Sequence, residues 1–176
     1  KVVQEESVMM GQFNMDCNNM VHIKSHTRRL EAKRHTLEKY QQWLNAFMQR
    51  RDRGKADIRA FFWLLLWHID VGDWQRGLEL ARFALVAGMA SPIDFSRTLA
   101  ETVCEEIAGG ILKTGKPNDH ADVLEEVAEL VVGHDMTDQI AAKLYKARGL
   151  AWLEVDPDKA RELLMEALKY DSNAGV

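Results

Sequence analysis

Proline is scarce, three in 176 residues, and the eleven glycines are unremarkable in number, which excludes collagen-like, proline-rich disordered and turn-dense β architectures. The two cysteines, Cys17 and Cys104, stand 87 positions apart. That spacing makes neither a disulfide framework nor a ligand or redox motif, and the pair reads as free thiols in a reducing cytosol. The uncharged apolar run Phe61 to Trp67 is seven residues, and no run approaches the roughly 20 needed to span a bilayer. The opening residues show no charged stretch followed by a leader-like apolar core, so a non-secreted protein is expected. What remains, 47% hydrophobic and 28% charged residues, is the composition of an ordinary globular chain of one domain or a domain plus an arm.

Net charge is −4, but it is unevenly laid out. Residues 21–60 hold eleven Lys/Arg against Glu31, Glu38, Asp52 and Asp57, a local charge of +7, whereas residues 61–176 carry −9. A basic stretch joined to an acidic body points to a polyanionic partner at one end; a solvated helix kept soluble by its charges is the alternative.

Periodicity predicts seven helices and no strand. The first covers about 25–51, where Ile23, Leu30, Leu37 and Leu44 recur every seven residues with Tyr40 and Phe47 three positions after the last two. This narrow seam is the pattern of a long helix packing on another, a rod of roughly 40 Å. Gly54 breaks it, and a helix at about 56–70, apolar nearly all round, belongs at the centre of the core. Asp73 is placed to cap a third helix over about 74–87, which Gly88 ends in the left-handed conformation. Ser91-Pro92 opens a fourth, to about 112. A fifth covers about 119–132, Thr137 caps a sixth over about 138–153, and Asp156-Pro157 starts a seventh, ending near Tyr170. Gly149, Ala160, Leu164 and Ala167 resemble the small and large alternation of tetratricopeptide helix pairs, yet the echo at Gly77, Ala81 and Ala84 lies off a 34-residue period. The reading is all-α: an irregular stack of helical hairpins, partly tetratricopeptide-like, with a long basic N-terminal helix able to form a coiled-coil-like oligomer contact.

Catalytic constellations are thin. His22 and His26 have the i, i+4 spacing of a helical metal pair with Cys17 nearby, but only distant His35 offers a fourth zinc ligand. Glu31-Ala32-Lys33 fits an acid-x-lysine nuclease fragment without the strand that such a site uses. Glu101, Glu105 and Glu106, and Asp122, Glu125, Glu126 and Glu129, read as solvated acidic faces. No glycine-rich phosphate loop occurs. Trp63, Trp67, Trp74 and Trp152 lie in or beside apolar runs and read as core before nucleotide-stacking platforms. No catalytic residue, metal or cofactor is assigned.

One stretch carries a specific resemblance: Leu66-Trp67-His68-Ile69-Asp70-Val71-Gly72-Asp73-Trp74, continuing through Gly77-Leu78-Glu79-Leu80-Ala81-Arg82-Phe83-Ala84-Leu85. Together with Lys143-Leu144-Tyr145-Lys146-Ala147-Arg148-Gly149-Leu150 and Tyr170-Asp171-Ser172-Asn173-Ala174-Gly175-Val176, it resembles the phage terminase small subunit family of cos-packaging myophages, over roughly residues 20–176. The resemblance implies recognition of concatemeric viral double-stranded DNA, assembly into a ring-like homo-oligomer, and partnership with a large subunit holding the ATPase motor and nuclease. Members are also labelled the endonuclease subunit. Residues 1–20 lack the basic leader usual in the family, and where this sequence reaches Ala174-Gly175-Val176 relatives continue into a charged tail.

These readings divide the chain into a flexible segment 1–22, a basic arm 23–55 for DNA and oligomerisation, and a hairpin body 56–176 for oligomerisation and large-subunit docking. Lys24, Arg28, Arg29, Lys33, Arg34, Arg50, Arg51, Arg53, Lys55 and Arg59 are the candidate phosphate contacts, a stripe supplying affinity but little base discrimination. Ile23, Leu30, Leu37, Tyr40, Trp43, Leu44 and Phe47 are the candidate oligomer contact, with ordinary core within the same chain as the other reading of Leu30, Leu37 and Leu44. The expected place of action is the host cytoplasm, with no membrane partner. Two alternatives stand beside this: a metal-dependent endonuclease cutting cohesive-end sites, and a helical peptide-binding adaptor.

Overall fold

In the computed structural model, which describes residues 2–92 and 95–176, the chain is all-helical. The helices are α1 (Val2–His22), α2 (His26–Gln49), α3 (Lys55–Asp70), α4 (Trp74–Val86), α5 (Leu99–Thr114), α6 (Ala121–Leu130), α7 (Asp138–Trp152) and α8 (Pro157–Tyr170), with a 3-10 turn at Pro117–His120 before α6. No strand and no helix long and apolar enough to cross a membrane occurs among the described residues.

α3 lies at the centre, as its all-round apolarity requires: Phe61, Phe62, Leu64, Leu65, Trp67 and Ile69 are all buried. α2 and α4 flank it, and α5 joins it to α6 and α7 through Val103, Cys104, Ile107 and Ile111. The last hairpin, α7 and α8, is the closest-packed pair. A Cβ on Gly149 would stand 2.6 Å from Leu164 Cδ2 and 3.2 Å from the Ala160 carbonyl oxygen, so the bare glycine sets how near the two axes approach.

The start and stop signals work with two exceptions and one relocation. Gly88 (φ 61°) ends α4 in a Schellman arrangement, its N–H donating to Leu85 O at 3.1 Å and the Met89 N–H to Ala84 O at 2.9 Å. Asp156 caps α8 by accepting from the Lys159 N–H at 3.0 Å. Asp73 and Thr137 occupy N-cap positions but accept no backbone N–H there with their side chains. α5 starts at Thr98, not at Ser91-Pro92. Thr98 and Glu101 make a reciprocal capping box, with Thr98 Oγ1 accepting the Glu101 N–H at 3.2 Å and Glu101 Oε2 accepting the Thr98 N–H at 3.1 Å.

Two further observations concern the N-terminal third. The segment expected to be flexible is helical from Val2 to His22, and α1 seats Phe13 and Met20 in the core. Nor does the basic helix project. Leu37, Tyr40, Leu44 and Phe47 are buried in this chain's own core, against α3 and α1, with Phe47 stacked on Phe61 at 4.7 Å and Tyr40 edge-on to Phe13 at 5.8 Å. Four of the seven seam residues proposed for an oligomer contact are therefore spent inside the fold. Ile23, Leu30 and Trp43 stay partly exposed. The seam cannot tell its partner helix apart from a second chain, because the same a and d spacing serves both.

Candidate nucleic-acid interface

The ten candidate cations separate into two groups by what their hydrogen-bond donors reach. Helix C-termini leave carbonyls without intrahelical partners and carry partial negative charge, so a nearby Arg or Lys is drawn there. Arg29 puts its Nε and Nη2 on the Ile23 carbonyl, at 3.0 and 2.6 Å, just beyond the end of α1. Arg34 Nη2 donates to Val71 O at 3.3 Å and Lys33 pairs with Asp70, both at the end of α3. Arg53 donates to Phe47 O and Met48 O at the end of α2, its guanidinium lying over the Phe83 and Phe47 rings at 5.0 and 5.4 Å. Arg50 reaches Asp57, in the first turn of α3, at 3.5 Å. Five of the ten are thus engaged within the fold, and Arg59 is not free either.

Lys24, Arg28, Arg51 and Lys55 are exposed, and their side chains have no hydrogen-bond or ion-pair partner among the described residues. Lys24 and Arg28 flank the α1–α2 turn, on a shallow cleft of about 720 Å³ shared with His22 and Glu31. Arg51 and Lys55 lie at the α2–α3 junction. The 24 residues of α2 separate the two pairs, roughly 36 Å at 1.5 Å per residue. In place of one stripe there are two cationic ends. Arg59, also exposed, lies on α3 beside a groove lined by α1.

The other candidates find structural employment. His22 ends α1 and His26 opens α2, so a turn intervenes and the i, i+4 spacing does not put them on one helical face. Among the described residues no three His, Cys, Asp or Glu side chains gather as a metal site. The acidic faces are not simply solvated. Glu125 accepts Arg148 Nη2 at 2.6 Å and Trp152 Nε1 at 2.7 Å, with Lys159 Nζ at 3.5 Å, binding α6, α7 and α8 together. Burial alone raises the Glu125 carboxyl, but these hydrogen bonds and charges outweigh it and hold it below the usual carboxylate range. Glu105 accepts Lys143 Nζ at 3.0 Å and also pairs with Arg97. Of the tryptophans, Trp67 is buried, whereas Trp63, Trp74 and Trp152 are half-buried. Trp74 meets His120 edge-on at 4.5 Å, and Lys159 covers the Trp152 ring at 3.6 Å.

One polar site escaped the sequence reading. His68, on the core side of α3, is 2% exposed. Its Nδ1 lies 2.8 Å from Asp73 Oδ2 and its Nε2 lies 3.2 Å from Gln41 Nε2. Since the Gln41 amide nitrogen donates, Nε2 accepts, and Nδ1 carries the proton given to Asp73. This explains why Asp73 does not cap α4: its carboxylate is turned to the histidine. Desolvation lowers the His68 pKa below its ordinary value, against the pull of Asp73. The five-residue spacing from His68 to Asp73, across the Val71-Gly72 turn, was the available signal.

The fold is all-helical with a cationic cluster at each end of α2, and sequence relationships give its class. The profile of the phage small terminase subunit family matches residues 10–139, and the chain belongs to that family, with a role in phage genome packaging. It is 31% identical over 172 residues to the terminase, endonuclease subunit of Escherichia phage P2, a match covering 96% of this chain and 68% of that protein. No solved structure matches it.

Proposed function

We propose that the chain binds concatemeric viral double-stranded DNA and assembles as a homo-oligomer, a ring, that directs the large motor and nuclease subunit in packaging within the host cytoplasm. The observation that carries the DNA reading is the pair of unpartnered cationic ends, Lys24 with Arg28 and Arg51 with Lys55, about 36 Å apart along α2. That distance is close to one turn of B-form DNA, roughly 34–36 Å, so α2 laid beside a duplex meets phosphates on one side at both ends. Contacts of this kind give affinity and register without reading bases. Symmetry in an oligomer repeats them, and multivalency raises the total affinity with no new contact. Ile23, Leu30 and Trp43, the seam residues left partly exposed, support self-association, and the acidic residues between 119 and 170 supply a face for the large subunit or a neighbouring protomer.

The test pairs light scattering with fluorescence anisotropy of a labelled duplex over a salt series. Wild-type protein scatters with the mass of an oligomer and binds. Lys24→Glu, Arg28→Glu, Arg51→Glu and Lys55→Glu together weaken binding and reduce the salt slope by nearly one per lost phosphate contact. A monomer without duplex affinity at physiological salt overturns the reading and leaves a peptide-binding adaptor.

A second reading follows from the printed name of the phage P2 relative: metal-dependent cleavage at cohesive-end sites. Incubation with magnesium or manganese and a DNA carrying such a site separates the two. Cutting by this chain alone, abolished by one carboxylate substitution, establishes the enzyme.

A further inference from the structure

We propose that the outer face of α1, formed by Val8, Gly11, Met15, Asn18 and His22, packs on the same face of α1 in a second copy of this chain. The inference rests on the self-association part of the reading above and deepens it, by naming a contact surface outside the α2 seam.

α1 distributes its residues against the usual pattern. Residues three and four apart share a helical face, so positions 8, 11, 15, 18 and 22 make one stripe of about four turns, with the a and d spacing of helices that pair. Phe13, Asp16 and Met20 point the other way, into the fold. Val8 and Met15 are 70% and 61% exposed, and Gly11, Asn18 and His22 are exposed beside them. A solvent-facing helical surface ordinarily carries charge, as α8 does with Asp158, Arg161, Glu162 and Lys169. α1 does the reverse. From Val8 to His22 its one residue among Lys, Arg, Asp and Glu is Asp16, which is buried and bonded to Tyr40. Every exposed residue of that span is apolar, an amide, a glycine or histidine.

Gly11 is an independent sign that something approaches this face. Glycine weakens a helix relative to alanine. At Gly149 the approach of α8 explains it, since a Cβ there would stand 2.6 Å from Leu164. A Cβ on Gly11 would meet nothing within 4 Å, so no packing inside the protomer calls for the glycine. A helix closing in from outside does.

Charge decides which partner fits. DNA requires cations within reach of its phosphates, and this face has no Lys or Arg. A charged peptide would bury unpaired charge against it. The same face on a second copy is complementary: neutral meets neutral, Val8 and Met15 leave water together, and the Asn18 amide, which both donates and accepts, can bond an amide opposite. A face that meets its own copy makes a two-fold contact. Met15, in the middle of the stripe, meets its counterpart whichever way the two helices run. Two helices of this length bury too little for a stable dimer by themselves, so the contact adds to that of Ile23, Leu30 and Trp43 within one assembly.

The experiment combines light scattering at matched protein concentration with cross-linking. Met15→Glu changes a solvent-facing side chain, so the protomer keeps its helical circular dichroism, while two carboxylates are brought together in the pair. The mass is expected to fall by about half as the two-fold contact is lost. Gly11→Leu, with open space around it in the protomer, lowers the mass likewise, and Met15→Leu retains the wild-type value. Met15→Cys treated with a short bismaleimide gives a covalent dimer above the background set by Cys17 and Cys104 in wild-type protein. An oligomer whose mass is unchanged in Met15→Glu and Gly11→Leu, or the absence of that cross-link, overturns the α1 contact alone. A monomeric wild-type protein overturns the self-association reading and this contact with it.

Discussion

The Tyr40 phenol donates to the buried carboxylate of Asp16 at 2.7 Å, fastening α1 to α2. Asp16 is 6% exposed; its other neighbours are Gln12 Nε2 at 3.2 Å and Lys39 Nζ at 3.7 Å. A buried carboxylate that loses its best donor retains the desolvation cost, about 1–3 kcal/mol. Tyr40→Phe keeps the ring and its edge contact with Phe13, so it isolates the hydrogen bond. Urea denaturation is expected to show a loss of that size, and hydrogen exchange is expected to place the faster opening in α1. Equal stability would mean that Phe13 and Met20 alone hold the helix.

His68 gives the fold a dependence on mild acid. Its pKa is lowered in the folded state, so below the unfolded value near 6.5 the unfolded chain binds a proton that the folded chain refuses. Stability is then complete above that value and falls as pH drops below it, at up to about 1.4 kcal/mol per pH unit until the lowered folded pKa is reached. Urea midpoints measured from neutral pH down to about pH 5 are expected to fall more steeply for wild-type protein than for His68→Gln, which has no proton to take up there. Parallel curves would show that the Asp73 carboxylate compensates for burial after all.

Helix positions were legible in the sequence where apolar spacing agreed with an end signal, as with Gly54 before α3, Gly88 after α4 and Asp156 before α8. α1 was not, because its inward residues, Phe13, Asp16 and Met20, include a buried carboxylate, and its Asn-rich remainder dilutes the apolar pattern. At α5 the Ser91-Pro92 signal competed with Thr98 and Glu101, and the reciprocal capping box won. The cations were the least legible feature. Lysine and arginine at the end of a helix look the same in sequence whether they face a phosphate or an orphan carbonyl, and only the fold shows that Arg29, Arg34 and Arg53 face carbonyls. The seam of α2 had the same ambiguity, and most of it was settled by α3 of the same chain.

Glu125 is the joint of the C-terminal half. Glu125→Gln keeps the shape but removes the charge that Arg148 and Lys159 face, and a loss of about 1–2 kcal/mol is expected in thermal or urea unfolding. The carboxyl is lowered in the folded state. Its contribution is therefore present above the unfolded carboxylate pKa and vanishes as pH falls through the lower folded value. Acid titration of stability should accordingly be flatter in Glu125→Gln, and an unaltered acid limb would count against the joint.

The approach of α8 to α7 depends on Gly149, whose missing Cβ leaves room for Leu164 and for the Ala160 backbone. Gly149→Ala normally gains helix stability, since glycine costs up to about 1 kcal/mol relative to alanine in a helix. Here the added methyl meets a backbone carbonyl as well as a side chain, so Leu164 changing rotamer does not relieve it fully. Overpacking of this sort costs about 1–3 kcal/mol. The expected net result is a lower thermal midpoint for Gly149→Ala, partly restored when Leu164→Ala is added, in a double-mutant cycle with non-additive terms. Stabilisation by Gly149→Ala alone would show that the two helices separate without loss.

The spacing of the cationic ends predicts a length threshold in DNA binding. Both ends of α2 reach phosphates only if the duplex is at least about 36 Å long, so a duplex of about 8 base pairs, at 3.4 Å each, spans too little and one of about 20 base pairs spans enough. Wild-type affinity should rise between these lengths by more than the number of added sites explains. In the Arg51→Glu, Lys55→Glu variant only Lys24 and Arg28 remain, and the excess is expected to disappear, with the residual affinity following site number alone. Persistence of the excess in that variant would assign the length dependence to neighbouring protomers bridging the same duplex, not to the two ends of one α2.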